Sequence, residues 1–522
     1  MEPQSSQSPD SAPAQIVAAV DVGANALRMV IAEVFPDGRI EVLERLQRAV
    51  RLGQDTFRRG RLGGQSMRAA IGVLRDFRRL LDLYKVEKIR AVATSAVREA
   101  GNGETFLDRV FMATRLQVEA IDPSEESRLT VSAVRQAVGN SLGVNERHTL
   151  IVDVGGGSTL LTMLENGEIS TSQSLRLGSI RLRETLSTSD EPPRRSAVLL
   201  RQHISNTLSV LENVAPLGLI DSFVAVGGDA RFAAREIGAA TAESNDLAVI
   251  EAADFDKLVA GCVRHTSEEL SKLHGLPFAD AETLNPALLV YQVLLKRTQA
   301  DKIIVSHVSM RDGLLLDLAR EVTGKKDEAL SNGIIHSATA IAEKYRVDLN
   351  HARGVAEAAV GLFDVFQADH GLAPRFRLLL RVAGLLHEVG SFVSSRAHHK
   401  HSEYLIANSE IFGLSRHEIH LVAQIARYHR RSSPRASHPS YTALPRESRL
   451  VVSKLSALLR VADAAVRGNN RRASDVHFQR TGDELIIAIA GGADLMLEQR
   501  AMESKGGLLE DIYGVKIRLE EA

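Results

Sequence analysis

Apolar residues along this chain gather in short runs, and two of those runs break in nearly the same way. Val20-Asp21-Val22-Gly23-Ala24-Asn25-Ala26 lies between apolar stretches, and the pattern returns at Val152-Asp153-Val154-Gly155-Gly156-Gly157-Ser158. Each copy predicts a strand, a tight turn and a returning strand, because glycine admits conformations closed to other residues and leaves backbone amides uncovered. From Gln15 to about Pro123, strand and helix periods alternate: the Asp21 hairpin, a helix from Gly64 to Tyr84, a strand at Lys88–Ala93 and a helix through Glu104–Arg115. A second pass opens with a helix from Ser124 to Val138 and continues through the Asp153 hairpin. A helix over Arg194–Val214 and the strand Ser222–Val226 before Gly227-Gly228 follow, and the pass closes near Leu318. Beyond Thr323 the period is helical to about Val466, and alternation returns at Val476–Phe478, Leu485–Ile489 and Val515–Leu519. The pattern predicts an α/β fold with a disordered tail (1–14), two tandem α/β domains (15–123 and 124–320), an all-α domain (326–472) and a small C-terminal α/β subdomain (473–522).

Composition narrows the setting. The chain has 522 residues, 44% hydrophobic and 25% charged, which suits a folded protein of several domains. No apolar stretch approaches the roughly 20 residues that span a bilayer, so no membrane partner is expected. A net charge of −1 gives no global attraction for nucleic acid, and any affinity for phosphate chains must be local. The single cysteine, Cys262, excludes an internal disulfide and cysteine-based zinc sites. The first residues, MEPQSSQSPDSAPA, lack the basic start and apolar core of a signal peptide, and the expected location is cytoplasmic.

The turns carry the first chemistry. Gly155-Gly156-Gly157-Ser158 can direct several amides and a hydroxyl at one phosphate, and Gly23 with Asn25 does the same at the first turn. A carboxylate beside such a site repels phosphate unless it holds a cation, so Asp153 and Asp21 read as ligands of Mg²⁺ or its waters. One copy alone would be a glycine-rich hairpin with a capping aspartate. Two aligned copies, with Gly227-Gly228 after a third strand, point to phosphate binding.

Three such turns in tandem α/β domains resemble the actin-like, ribonuclease H-like superfamily. The ordered set Ala93-Thr94-Ser95-Ala96-Val97-Arg98-Glu99-Ala100, Glu125-Glu126-Ser127-Arg128, the Asp153 turn, Leu177-Gly178-Ser179-Ile180-Arg181-Leu182 and Arg311-Asp312-Gly313-Leu314-Leu315-Leu316-Asp317 narrows the match. With Leu386-His387-Glu388-Val389-Gly390, the run from His401 to Ser409, and Arg427-Tyr428-His429-Arg430, it resembles the exopolyphosphatase and guanosine pentaphosphate phosphohydrolase (Ppx/GppA) family along nearly the whole chain. The resemblance implies Mg²⁺-dependent release of terminal phosphate from inorganic polyphosphate or guanosine pentaphosphate, and a homodimer. It assigns water activation to Glu126 and a phosphate clamp to Arg98, with Arg28 and Arg311 holding substrate farther along. Adjacent helical positions point about 100° apart, so Glu125 and Glu126 cannot both face a cleft. The departures are Ala24 and Ala26 in place of two serines, Asp122-Pro123 in place of Ser-Gly, and Asp229 after the third glycine pair. Two alternatives of other classes are a kinase of the same fold, using ATP, and a sensor that binds alarmone or polyphosphate without hydrolysis.

In the helical region, His351, His387-Glu388 and Asp463 follow the order of an HD phosphohydrolase metal site, with Glu where that family has Asp. The extra methylene predicts a degenerate HD-like domain whose polar residues satisfy one another. His398, His399, His401 and His429 are expected to form a hydrogen-bonded network or a polyanion contact. Arg427, Arg430, Arg431, Arg435, Arg467, Arg471 and Arg472 are candidates for a basic groove that holds a phosphate polymer.

Overall fold

The computed structural model describes residues 13–138, 147–211, 216–240, 246–325, 328–430, 432–466, 475–490 and 495–521. The tail expected to be disordered lies outside the described residues up to position 12. The chain forms two compact units, Met1–Asp327 and Glu328–Ala522.

The first unit contains two sheets of one plan. In the first, β1 (Gln15–Val22), β2 (Ala26–Val34), β3 (Ile40–Ala49), β4 (Lys88–Ala93) and β5 (Val118–Ala120) run in the order β3-β2-β1-β4-β5. In the second, β6 (His148–Val154), β7 (Thr159–Glu165), β8 (Glu168–Leu175), β9 (Ser222–Val226), β10 (Ala239–Ala240), β11 (Leu247–Glu251) and β12 (Lys302–Ser306) run β10-β11-β12-β9-β6-β7-β8. β1 pairs antiparallel with β2 and parallel with β4, and β6 pairs antiparallel with β7 and parallel with β9. The two aspartates therefore end equivalent strands, at the carboxyl edge where open α/β sheets bind ligands.

Sequence explains why these strands are central. Positions 17 to 22 of β1 are all buried, and both faces are covered: Ala18, Val20 and Val22 join one core while Val17 and Ala19 join another. A strand covered on both sides reads as an unbroken apolar run. The helices Gly64–Leu83 and Gly103–Thr114 supply Leu74, Phe77, Phe106 and Val110 to the first core. Leu129 of the helix Pro123–Val138 and Leu314, Leu315 and Leu318 of the helix Met310–Thr323 supply the second. The last of these helices falls in the range read as the second domain, yet its apolar face lies against the first sheet. Its docking is fixed by a partly buried ion network: Arg128 binds Glu125 and Asp317, and Arg90 binds the same two carboxylates. The second sheet has its own core, filled by Leu200, Ile204 and Leu208 of the helix Pro193–Leu211 and by Leu288 and Tyr291 of the helix Phe278–Leu295.

The second unit is helical around one core that includes Phe363, Leu379, Leu386, Val422 and Leu455. Its sheet, β13 (Val476–Thr481), β14 (Glu484–Ile489) and β15 (Lys516–Glu521), contributes Leu485, Ile487 and Ile489 to that same core. The C-terminal strands and the helices thus share one core.

Candidate active site

The two repeated turns close in the same way. Gly23 donates its amide to the Ala26 carbonyl at 3.2 Å, and Gly155 donates to the Ser158 carbonyl at 2.9 Å. Among the described residues the amides of Gly156 and Gly157 have no protein acceptor, which leaves them for a ligand. Close approach of the two lobes explains one glycine: a Cβ on Gly157 would sit 2.0 Å from the Ser95 hydroxyl and 2.5 Å from the Phe57 ring. Gly227 is needed for its backbone, with φ of +123°, and for its position beside the Val154 carbonyl and the Asp153 carboxylate.

These turns line one cleft of about 390 Å³, together with Asp21, Gly23, Asn25, Arg28, Glu126, Asp153, Gly155 to Ser158, Gly227, Gly228 and Arg311. Of the site residues expected from sequence, only Arg98 is outside that lining. Its guanidinium donates to the Ile121 carbonyl and to Oε1 of Glu126. Arg98 is thus bonded to Glu126, the carboxylate that lines the cleft. Asn25 is also committed: its Nδ2 donates to the Ala279 carbonyl at 3.2 Å, a bond between the lobes.

Three carboxylates, Glu126, Asp21 and Asp153, line the same cleft close enough to repel. Glu126 is 7% exposed, and burial, only partly offset by Arg98, pushes its pKa up to about 7, with Asp21 and Asp153 adding repulsion. Burial raises Asp153 to about 6, against a hydrogen bond from Thr130 at 3.2 Å and the pull of Arg231. Asp21 Oδ2 accepts from Arg311 Nη1 at 3.2 Å and lies 3.7 Å from Arg28, its cross-strand neighbour on β2. Its Oδ1 is buried without a hydrogen-bond partner among the described residues. An orphaned acceptor beside a second carboxylate fits a hard cation such as Mg²⁺. Glu125, one residue from Glu126, points away to Arg128 and Arg90.

Sequence reading missed Arg231, Tyr291 and Arg181. Arg231 lines the cleft, and its hydrogen bond to the Val308 carbonyl is a long one, 3.4 Å. Tyr291 donates to the Val226 carbonyl and accepts from the Val154 amide, tying β9 to β6 just below Asp153. Arg181 donates to the Gly157 carbonyl and to Glu99, and its guanidinium lies 4.1 Å from the centre of the Phe57 ring. Arg181 and Glu99 stand inside the motifs that carry the family resemblance, so the signal existed without a role attached. Arg231 and Tyr291 stand in ordinary helical patterns.

In the second unit, His351, His387 and Glu388 each place a ligand atom within 4.8 Å of the others, and His351 Nε2 lies 3.6 Å from Asp463 Oδ1. Lys505 donates to Asp463 Oδ2, so an internal ammonium already neutralises that carboxylate. His387 Nδ1 is bonded to the Gly384 carbonyl, and its buried Nε2 has no partner among the described residues, so the expected mutual satisfaction is incomplete. His398 and His429 stack and share a 3.0 Å contact between Nε2 atoms, and burial lowers the pKa of both. Burial also lowers His399, to about 4, and His401 is half-buried. Arg427 is paired with Glu403, Arg430 is half-buried and Arg435 exposed. Arg431, Arg467, Arg471 and Arg472 lie outside the described residues.

Comparison with known proteins agrees with this architecture. Residues 30–322 match the Ppx/GppA phosphatase family, and residues 335–504 match Ppx/GppA phosphatase, domain III. Guanosine-5'-triphosphate,3'-diphosphate pyrophosphatases of Aliivibrio fischeri and Vibrio vulnificus are 25% and 26% identical over 481 and 483 residues, covering 91% of this chain and 91% and 92% of theirs. The crystal structure of the Aquifex aeolicus Ppx/GppA family member superposes with a TM-score of 0.50 at 27% identity, over 60% of this chain and all of that one. An exopolyphosphatase from Cytophaga hutchinsonii shares the fold, with a TM-score of 0.53 at 24% identity, over 59% of this chain and 98% of its own. With its two actin-like lobes and one carboxylate-lined cleft, the chain belongs to the Ppx/GppA phosphatase family and is a phosphoanhydride hydrolase.

Proposed function

We propose that the chain releases terminal orthophosphate from inorganic polyphosphate or guanosine pentaphosphate by direct attack of water, with Glu126 as general base. The observation that carries this reading is Glu126 itself, a buried carboxylate lining the cleft with the two strand-end aspartates, with a pKa of about 7. A base is most effective when its pKa lies near the working pH. Water oxygen bonds to the terminal phosphorus as the bridging P–O bond breaks. The proton passes to Glu126, and the leaving phosphate takes the electron pair. Arg98 keeps Glu126 in position throughout.

Asp153 and Asp21 are the residues that would hold Mg²⁺, which when bound neutralises charge on the phosphate oxygens. Gly156, Gly157 and Ser158 receive the terminal phosphate, Gly23 and Gly228 border it, and Arg311, Arg28 and Arg231 hold the phosphates beyond. This grip is built mainly on the second turn, because Ala24 and Ala26 offer no hydroxyl and Asn25 is bonded to Ala279. We read the second unit as HD-like, and the working state as a cytoplasmic homodimer without nucleic acid or membrane partners. No helix among the described residues is long and apolar enough to cross a membrane.

The test is phosphate release from both substrates with and without Mg²⁺. Activity restored to EDTA-treated protein by Mg²⁺, and lost in Asp153→Asn, is the expected result. Equal turnover in EDTA would refute the metal assignment.

A further inference from the structure

The glycine turn after β6 is held by one short segment, Ser179–Arg181. Ser179 donates its amide to the Gly155 carbonyl at 3.0 Å, and Ile180 and Arg181 donate theirs to the Gly156 carbonyl at 2.9 and 3.1 Å. The third carbonyl, that of Gly157, takes its bond from a side chain: Arg181 Nε, at 2.6 Å. In a trans peptide the N–H points opposite to the C=O. Bonding those three carbonyls therefore turns the amides of Gly156, Gly157 and Ser158 away from the segment, and among the described residues none of the three has a protein acceptor. All three residues line the cleft.

Arg181 also reaches the first lobe. Its Nη2 donates to Glu99 Oε1 at 2.6 Å, and its guanidinium lies 4.1 Å from the centre of the Phe57 ring, with the whole residue 7% exposed. The chain neighbour of Glu99 is Arg98, which donates to Glu126 Oε1. Two consecutive residues of the first lobe thus bond, one to the general base, the other to the arginine that holds the phosphate turn. Attack by water requires base and phosphorus to be aligned, and a misplacement of about 1 Å can cost about a hundredfold in rate. We propose that Arg181 is a positioning residue for the hydrolysis: it fixes the Gly157–Ser158 peptide with its amide toward the terminal phosphate and, through Glu99, keeps that amide in register with Glu126. A planar guanidinium serves the Gly157 carbonyl, the Glu99 carboxylate and the Phe57 face at once, whereas a lysine carries the same charge without that fixed fork.

The inference rests on the hydrolase reading and adds a residue to the machinery which that reading names. The probe is orthovanadate, whose five-coordinate form resembles phosphorus in transfer, and its Kd is measured by calorimetry on the full chain with Mg²⁺ present, beside kcat and KM on guanosine pentaphosphate. Arg181→Lys is expected to lower kcat by about 10–10²-fold, to weaken orthovanadate by a similar factor and to leave KM within about threefold, since Arg311, Arg28 and Arg231 still hold the substrate. Glu99→Gln leaves Arg181 in place and is expected to move kcat and the orthovanadate Kd in the same directions by about three- to tenfold. The double variant is expected to do no worse than Arg181→Lys alone, because both changes break one chain of contacts. A smaller folded fraction lowers kcat but does not move a dissociation constant. Unaltered orthovanadate affinity in Arg181→Lys overturns the proposal, as does a loss confined to KM or a double variant whose losses add. Weaker orthovanadate binding in Arg181→Lys, with no phosphate released by the unaltered chain, supports the positioning role and refutes the hydrolase reading.

Discussion

Glu125 and Glu126 stand one position apart on one helix, and the turn of about 100° between them sends the first into an ion network and the second into the cleft. Replacing Glu126 with Gln keeps the shape and removes the base, so kcat should fall by about 10²–10⁴ while substrate still binds. Burial holds the Glu126 pKa at about 7, and its ionised form is the active one, so kcat/KM should rise with pH through neutrality and level off above it. A pH profile without that acid limb would contradict the assignment. Stability runs the other way in metal-free protein. Glu126, Asp153 and Asp229 have native pKa values of about 7, 6 and 7, above those of an unfolded chain, so between about pH 4 and 7 the native state binds the extra protons. Melting temperature in EDTA should therefore fall as pH rises from about 5 to 7.5, and Mg²⁺ should oppose that fall.

At the scale of elements, the hairpins were legible because their signals are local: an apolar run, glycines, and a second apolar run. The strand Lys88–Ala93 and the helix beginning at Gly64 were legible for the same reason. The destination of the helix Met310–Thr323 was not, since an apolar face does not name the surface it will cover. Its docking also uses Asp317 meeting Arg128 and Arg90, residues far apart in sequence. Arg128 has only 6% of its side chain exposed, so Arg128→Ala leaves carboxylates without their partner and should cost about 3–5 kcal/mol in urea unfolding. The pairing of Arg98 with Glu126 was hidden for a related reason: the motif marks each as functional, but only the fold brings positions 28 residues apart together. The approach of Gly157 to Ser95 gives a test of lobe closure. Gly157→Ala should cost about 1–3 kcal/mol in kcat/KM through overpacking, and Ser95→Gly should recover part of the loss.

For the whole molecule, the duplicated plan of the two sheets explains why one sequence pattern occurs twice and why the copies differ in use. The second turn keeps glycine amides and Ser158 at the cleft, while the first has Asn25 bonded to Ala279 and serves closure as much as binding. Every residue lining the cleft belongs to the unit Met1–Asp327, which has its own cores. A chain ending at Asp327 should therefore retain phosphate release, measured on short substrates. The separate helical unit was legible from its change of period, whereas the inclusion of the C-terminal strands in its core depends on contacts such as those of Leu485 and Ile487. The most direct test of the account is the rate of orthophosphate release from guanosine pentaphosphate by the full chain and by Glu126→Gln, with Mg²⁺ present. The account predicts release by the first and a rate at least about a hundredfold lower for the second. Equal rates would contradict it.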